Sequence, residues 1–572
     1  MLAALPSELL AMVIGQIASR RDLKRLCEVC KRLHGIAIPH LYQSLVLSAP
    51  ELSLEDLTAN LEAIPWKYLK YTQHLGFIVP IHERLESRCV HQGGNGHFVD
   101  EAVQDGNMDY EDTAEGTDNT REVKKINKIA QGRILGPLFN LSSALDALRF
   151  PDDQLRSFRL VSGFLLWPAH LRESRWEVGT CLPEALFGSK DSFLGNQRQI
   201  QSITFITDGE CGANTNAQYS VDLVQFRGLR SLDWRGLNRF NDFESVRKCI
   251  EVHGYQIQSL TLDLLTWVRA EKIWADGYRC QNPQPTSTPN NFFSERVLNV
   301  HPGDQKVVFL SLENLHLSAV SFYHTPMEMA HAFNIERLKS LKLRNCPGSL
   351  DWLQMILNPR MPMRLKSVEL ALDLNSLPRG GHMHITETIC NLIHHVCGLE
   401  SLYLMLPEPI DWTTLTNRLS SHRHIKRFVM HHLVDRGGQK LIDGDIPWSL
   451  RLERILQENQ LSCFGSSIPP GKLPSWFSES LYTYDYGDDL PYKPEEIHDL
   501  AQWAFSADGL PNLQVLAWGD FSYGGRYSKF NLLLCKSDNG YQTLTPSDIM
   551  SWNLVQDNLD MLAACPLDDI LE

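Results

Sequence analysis

The sequence predicts an α/β solenoid with one parallel sheet, preceded by three short helices at the N-terminus. Three observations lead to this fold class. A six-residue pattern with apolar residues at its first, fourth and sixth positions recurs ten times along the chain. Stretches of helical periodicity lie between many of the copies, and repeated strand–helix units stack into a solenoid. The N-terminal block instead shows apolar positions at helical spacing.

The N-terminal block predicts three short helical segments. Pro6 suits the first turn of a helix, because its missing N–H would have no helical partner there. A polar turn at 20–22 separates the first helix from the second, which we expect to continue past Cys30 to Leu33 and to be limited by Pro39. The apolar residues are Leu9, Leu10, Val13, Ile14 and Ile17 in the first segment, Leu23, Leu26, Val29, Cys30 and Leu33 in the second, and Leu41, Tyr42 and Leu45 in the third.

This block resembles an F-box. The family's pattern of Leu-Pro, an acidic residue and two aliphatic residues is present at 5–10, and Asp-Leu follows at 22–23. Val-Cys and two basic residues follow at 29–32. The sequence departs from the pattern in a slightly longer turn ahead of Asp-Leu, and in having Leu33 and Tyr42 where the family often has Trp.

The F-box resemblance implies that the block binds a Skp-type adaptor and, through it, a cullin. A helical block this small buries little surface of its own and therefore has to dock on something. The alternative to a partner is the rest of its own chain, which the block would then cap. The residues that the resemblance places at the adaptor contact are Leu5, Pro6, Leu9, Leu10, Val13, Ile17, Leu23, Leu26, Val29, Cys30, Leu33, Leu41 and Tyr42.

The recurring pattern predicts short strands, since alternating apolar residues give a strand one buried face. Copies begin at Leu155, Ile200, Leu229, Ile257, Leu312, Leu338, Leu365, Leu399, Ile425 and Leu513. From the second copy to the ninth, the starts are 29, 28, 55, 26, 27, 34 and 26 residues apart. This period and the L-x-x-L-x-L core resemble the leucine-rich repeat, whose sheet lines a concave face. The Asn or Cys that usually follows the core is convincing only as Cys346, so we expect an irregular solenoid.

Helices are predicted between the strands, at 245–253, 325–333, 350–357, 385–396 and 412–420. Residues 100–122 hold nine acidic residues and one Arg, and few large apolar residues lie nearby, so we expect this part of the chain to be disordered. The predicted organisation is an F-box at 1–47, a linker and first repeat-like segment at 48–82, a disordered acidic insertion at 83–127, a leucine-rich-repeat-like solenoid at 128–433, and an irregular aromatic-rich region with a C-terminal cap at 434–572.

Composition bounds the class of protein. The 572-residue chain is 43% hydrophobic and 21% charged, as globular proteins are. Its net charge of −14 argues against nucleic acid as a partner, because nucleic-acid binding needs a basic surface. The 13 cysteines are scattered, which favours reduced thiols in the cytoplasm or the nucleus. No stretch reaches the roughly eighteen apolar residues of a membrane span, so we expect no membrane contact.

No set of residues predicts catalysis, so we expect neither enzymatic activity nor a cofactor. The densest group of possible metal ligands is His382, His384, Cys390, His394, His395 and Cys397. The helical stretch that carries them also has Ile389, Ile393 and Val396 at core spacing. This favours residues of a repeat helix over zinc ligands, and we expect no metal site.

The combined interpretation is a substrate-recognition adaptor of a Skp–cullin–F-box ubiquitin ligase, similar to the F-box/leucine-rich-repeat proteins of filamentous fungi. The F-box would bind the Skp-type adaptor, and the solenoid would bind an unknown target protein. Aromatic residues are favoured interface anchors, so the expected target contacts are Trp234, Tyr403, Trp476, Tyr482, Tyr484 and Tyr486. The alternative for each of them is a place in the core between the sheet and the helices. The alternatives are an F-box scaffold outside ubiquitin transfer, and a repeat module whose N-terminal helices are only a cap.

Overall fold

The structure is a computed structural model. It describes residues 5–17, 19–48, 66–78, 171–177, 194–207, 221–237, 240–264, 292–322, 326–357, 363–372, 382–396, 398–400, 401–407, 410–419, 424–433, 463–466, 494–507, 509–519, 532–538, 540–544 and 557–566, and the positions 179, 182, 187, 422, 521 and 522. The predicted acidic insertion at 83–127 and the pattern copy that begins at Leu155 lie outside the described residues.

Three α-helices form the N-terminal part: α1 (Ser7–Gly15), α2 (Arg20–Val29) and α3 (Lys31–Leu41). The expectation of one helix from Leu23 through Leu33 is wrong. Cys30 is extended, with φ of −161° and ψ of 161°, and its Sγ accepts the N–H of Leu33 at 3.5 Å as the cap of α3. This break lets α3 turn back and pack against α2. Pro39 lies inside α3 and does not limit a helix.

The rest of the described chain is built around one sheet of fifteen strands, which follow one another in chain order. Strands β1 to β13 are parallel, and β14 and β15 are antiparallel at the C-terminal edge. The strands are β1 (Ser44–Ser48), β2 (His74–Ile78), β3 (Glu173–Glu177), β4 (Ser202–Ile206), β5 (Ser231–Arg235), β6 (Ser259–Asp263), β7 (Asn314–Ser318), β8 (Ser340–Arg344), β9 (Ser367–Ala371), β10 (Ser401–Pro407), β11 (Arg427–Leu433), β12 (Cys463–Ser466), β13 (Val515–Trp518), β14 (Leu532–Ser537) and β15 (Gly540–Thr543).

The remaining α-helices are α4 (Phe240–His253), α5 (Phe292–Arg296), α6 (Pro326–Ala332), α7 (Ser349–Ile356), α8 (His382–His395), α9 (Trp412–Leu419), α10 (Pro494–Ala504) and α11 (Leu559–Leu562). A short 3-10 helix, Trp66–Tyr71, precedes β2. The second and fourth residues of a strand, such as Leu232 and Trp234 of β5, share one core with helix residues such as Val246 and Ile250 of α4. We call this side of the sheet the back face; the first, third and fifth strand residues form the front face.

The predicted α/β solenoid with a parallel sheet is confirmed. Nine of the ten pattern copies form strands, from β4 to β11 and again at β13. Helices lie where the sequence predicts them: the stretch expected at 350–357 is α7, displaced by one residue, and that expected at 412–420 is α9. Cys346, the residue at the position of the repeat's usual Asn or Cys, donates its thiol to the backbone oxygen of Leu317 on the preceding strand, at 3.3 Å.

Strand β3 has no counterpart among the predicted copies. Its three pattern positions hold Leu171, Ser174 and Trp176, and all three are buried. The middle position is a small hydroxyl residue, so a pattern restricted to aliphatic residues passes over it. The pattern aligned on β12 departs in the same way, since its last position holds Ser466 in place of an apolar residue. A pattern that also accepts Ser would have found both strands.

The sheet crosses the predicted domain boundaries. β1 begins inside the segment predicted as 1–47, while β12 to β15 lie inside the segment predicted as 434–572. The boundaries themselves stay predictions. Among the helices of the described residues, none combines the length and the apolar character that crossing a bilayer requires.

Candidate protein-interaction site

The three N-terminal helices share a small core of their own. Leu10 and Ile14 of α1 are 1% and 2% exposed, and they pack with Leu23 of α2 and with Leu33 and Ala37 of α3. Three of these residues, Leu10, Leu23 and Leu33, were predicted to contact the adaptor directly. That expectation is wrong, because their side chains are buried in the core of the helical domain. They act on any partner only by holding the helices that carry the exposed residues.

Other apolar side chains of these helices point to solvent. The four that we call the docking face are Leu9, Met12, Val13 and Val29, which are 48%, 68%, 45% and 66% exposed. Leu9, Met12 and Val13 lie on the same side of α1, because residues three and four positions apart are neighbours on a helix. At the start of α3, Arg32 Nη2 donates to the backbone oxygen of Leu5. This bond ties the start of α3 to the residue that precedes Pro6 and α1.

The remaining predicted contact residues fall into two groups. Pro6 and Cys30 are exposed, whereas five others are half-buried: Leu5, Ile17, Leu26, Leu41 and Tyr42. Met12 was not among the predicted contacts, although it is the most exposed residue of the docking face, because the family pattern does not include its position. Its spacing of three residues from Leu9 is the signal that could have found it.

The docking face belongs to a basic part of an acidic chain. Residues 5–48 hold six basic residues, Arg20, Arg21, Lys24, Arg25, Lys31 and Arg32, all of them exposed. Against them stand three acidic residues, Glu8, Asp22 and Glu28. The whole chain, in contrast, carries −14. Because interfaces pair opposite potentials, a partner of this surface is expected to be acidic.

The helical domain joins the sheet without a linker, since α3 ends at position 41 and β1 begins at Ser44. Between them, the ring of Tyr42 packs on that of Tyr68 with 4.9 Å between centroids. His34 Nε2 of α3 lies 3.3 Å from the same Tyr68 hydroxyl. From the start of α2, Arg20 Nη2 donates to the backbone oxygen of Ser44. These contacts fix the direction of the docking face relative to the first strands.

The front face of the sheet is the second surface with functional potential. On β3 the guanidinium of Arg175 lies 2.6 Å from the carboxylate of Glu177, and on β5 that of Arg235 lies 2.9 Å from Asp233. The four side chains are between 16% and 40% exposed. This part of the front face is therefore charged but internally paired.

At β8 and β9 the front face has a buried ion cluster. The Glu369 carboxylate is fully buried and accepts Arg344 Nε at 2.7 Å, while Lys342 Nζ lies 3.2 Å from its other oxygen. Burial raises the pKa of Glu369, but the attraction of Arg344 and Lys342 outweighs burial and holds that pKa well below its usual range. Glu369 is therefore an ionised carboxylate held between the positive charges of Arg344 and Lys342.

Residues 557–566, which we call the C-terminal strap, lie on the front face of the last parallel strands. Met561 and Leu562 of α11 are buried against Tyr403 and Met405 of β10 and Val429 of β11. These residues form an apolar cluster separate from the main core on the back face. The front face thus has a charged part, on β3 to β9, and an apolar part that the strap covers.

The six predicted target contacts differ in where they lie in the structure. Trp234 is wrong as a contact, because it is 0% exposed on the back face, where its Nε1 donates to Thr207 Oγ1 at 3.1 Å. Tyr403 lies on the front face but is also 0% exposed, and its hydroxyl donates to Asp560 Oδ2 of the strap at 2.8 Å. It is therefore not an open contact either. The other four, Trp476, Tyr482, Tyr484 and Tyr486, lie outside the described residues.

Five of the six candidate metal ligands lie along α8, and Cys397 lies outside the described residues. His384 and His394 are exposed, Cys390 is buried, and His395 Nδ1 is 2.8 Å from the backbone oxygen of Asn391. Within the part of the chain that the structure describes, no three His, Cys, Asp or Glu side chains come together as a metal site.

A family model described as F-box-like matches residues 2–48. This range contains α1 to α3, the whole docking face and β1. No curated protein matches the chain. The N-terminus is therefore an F-box-like domain, and this supports a role for the chain as an adaptor that binds a Skp-type protein.

Proposed function

We propose that this protein is the target-recognition subunit of a Skp–cullin–F-box ubiquitin ligase. In this proposal the F-box-like domain binds a Skp-type adaptor, the adaptor binds a cullin, and the solenoid binds a target protein. The observation that carries the proposal is the docking face, whose apolar side chains are exposed on a domain of F-box-like type. The solenoid would be of the leucine-rich-repeat kind found in the fungal F-box proteins that the sequence resembles.

The docking face supports adaptor binding through burial of apolar surface. Covering exposed apolar area contributes about 25 cal/mol per Å², so four partly exposed side chains supply several kcal/mol. All four belong to one small domain, as the residues of a hot-spot cluster do, and the same domain carries six exposed basic residues. The net positive charge of residues 5–48 would speed association with an acidic adaptor and contribute to orientation.

The junction with the sheet supports the bridging part of the proposal. The ring contact between Tyr42 and Tyr68 and the bond from Arg20 leave the helical domain little freedom relative to β1 and β2. A target held by the solenoid would then keep a defined distance from the ligase, which raises the effective concentration of its lysines at the ubiquitin-conjugating enzyme. The chain itself would contribute positioning and leave the chemistry to other subunits, in the cytoplasm or the nucleus.

Affinity purification of the tagged full-length chain, with the proteasome blocked, tests this proposal. We expect recovery of a Skp-type adaptor, a cullin and a target that accumulates when the gene is deleted. Leu9→Asp should remove the adaptor and the cullin together and leave the target bound. Recovery of the adaptor without a cullin would contradict the ligase and favour a scaffold outside ubiquitin transfer. Absence of the adaptor from the wild-type purification would contradict both.

A further inference from the structure

We propose that the front face of β8 to β11 is a binding site for a short acidic–apolar peptide segment of a target, and that the C-terminal strap occupies this site within the chain. This inference rests on the proposed function, in which the solenoid binds a target. It assigns the target a place on the sheet and a chemical class.

The side chains of the front face hold the strap as they would hold a peptide. Arg344 Nη2 donates to the backbone oxygen of Ala563 at 3.2 Å. The backbone N–H of Cys565 donates to Glu369 Oε1 at 2.8 Å. Arg427 Nη2, two strands further along, donates to the backbone oxygen of Asp557 at 3.2 Å. Because these bonds reach the main chain, another segment in the same conformation could make them.

Two further contacts select side chains. Asp560 accepts the hydroxyl of Tyr403 at 2.8 Å, and its carboxylate lies 3.7 Å from the Arg427 guanidinium. One and two residues later, Met561 and Leu562 are 2% and 7% exposed in the apolar cluster on β10 and β11. The site therefore fits an acidic residue followed directly by two apolar ones.

The strap has little stability apart from these contacts. Its helix α11 is four residues long, and so short a helix does not form by itself in water. Cys565 has a φ of 51°, the left-handed region that favours glycine, so the bound strap also carries backbone strain. Ordering ten residues costs free energy comparable to the gain from burying a few side chains. A competing segment could therefore displace the strap.

The place of the strap suits this role. It ends at the Glu369–Arg344 pair, and the charged part of the front face continues from there with Lys342, which is 22% exposed, and with Arg235 and Asp233. A target could extend from the strap site onto these groups.

The test uses the full-length chain and a fluorescent peptide with the sequence of residues 555–568. In wild type the strap competes for the site, so the peptide should bind weakly. In the double variant Asp560→Lys, Leu562→Asp the strap loses its side-chain contacts while the site stays intact, and the dissociation constant should fall at least about tenfold. Adding Arg427→Glu to this variant should abolish binding, whereas Arg247→Glu, on α4 at the back of the sheet, should leave it unchanged.

Equal binding to wild type and to the double variant, or no binding to a folded double variant, would overturn the proposal. Binding of the Skp-type adaptor to the same proteins is read in parallel and should not change. If the wild-type chain binds the peptide but does not bind the adaptor, the proposed function is contradicted and the proposed peptide site is not.

Hydrogen exchange of the wild-type chain gives an answer even where the double variant does not fold. The amides of 558–565 should exchange at least about a hundredfold faster than those of β9, because the strap opens locally while the strand does not. Equal protection of strap and strand would show the strap to be a permanent part of the core, and would overturn the proposal.

Discussion

At the scale of single residues, the position in the strand decides what an aromatic side chain does. Trp234 is the last apolar position of its pattern copy and shares its register with Leu262 of β6, so it points to the back face. Tyr403 occupies the third position of its strand and points to the front face. Because successive side chains of a strand point to opposite faces, the sequence alone assigns Trp234 and Tyr403 to different faces of the sheet. The strap over Tyr403 comes from 157 residues away, and no local pattern predicts it.

The back-face position of Trp234 predicts a large effect on stability. Its ring packs edge-to-face on Phe205 with 5.0 Å between centroids, and it is fully buried. Trp234→Ala should therefore lower the free energy of unfolding by about 3–5 kcal/mol, measured by urea denaturation. Thr204→Ala, on the front face of the neighbouring strand, is the control and should cost less than about 0.5 kcal/mol. Equal losses from both variants would contradict the assignment of faces.

His316 of β7 predicts a dependence of stability on pH. Burial lowers its pKa well below the usual value, and the charges of Arg344, Lys342 and Arg235 add to this, against an opposing contribution from Glu369. Below the usual His pKa of about 6.5, the His316 imidazole is therefore protonated in the unfolded chain but stays neutral in the folded chain. Stability is fully present above that pH, and it should fall by up to about 1.4 kcal/mol per pH unit below it.

The variant His316→Gln isolates this effect. Its urea midpoint should fall less than that of wild type between pH 7.5 and pH 5.5. His384→Gln, at an exposed position of α8, is the matched control and should keep the wild-type slope. A His316→Gln protein with the full wild-type slope would show that another group is responsible.

At the scale of elements, hydrophobic periodicity was enough to predict most strands and helices. It succeeded from β4 to β11 and at β13 because each of these repeats buries its own second and fourth strand residues, so the pattern is local. It failed at Cys30, where a helical apolar stripe continues through a residue that is extended in the structure. The break lets α3 pack back on α2, a tertiary contact that helical spacing does not encode.

The contact between α3 and the 3-10 helix before β2 predicts how the helical domain is held. Tyr68→Ala removes both the ring contact with Tyr42 and the contact with His34, at a cost of about 1–2 kcal/mol. Hydrogen exchange of α3 should speed up by roughly tenfold, and that of β8 should not change. Unchanged exchange in α3 would mean that Tyr68 does not secure the domain.

At the scale of the whole molecule, the described residues form one sheet of fifteen strands, with the F-box-like domain joined to its first strand. The F-box resemblance predicted that domain and its partner class, because the motif is contiguous in the sequence. It did not separate the exposed residues of the docking face from the core of the domain, since both belong to the same apolar pattern. Leu9 and Leu10 are adjacent, yet they are 48% and 1% exposed. Only the packing of the three helices makes that distinction.

If the docking face binds a Skp-type adaptor, titration of the purified full-length chain with such an adaptor should show binding that depends on this face. Met12→Asp and Val29→Asp should each weaken binding by about thirtyfold, or about 2 kcal/mol. Met327→Asp is the matched control, because Met327 on α6 is 63% exposed, close to the 68% of Met12. It should keep the wild-type dissociation constant within about twofold. Wild-type affinity in both docking-face variants, or an equal loss in Met327→Asp, would contradict the account.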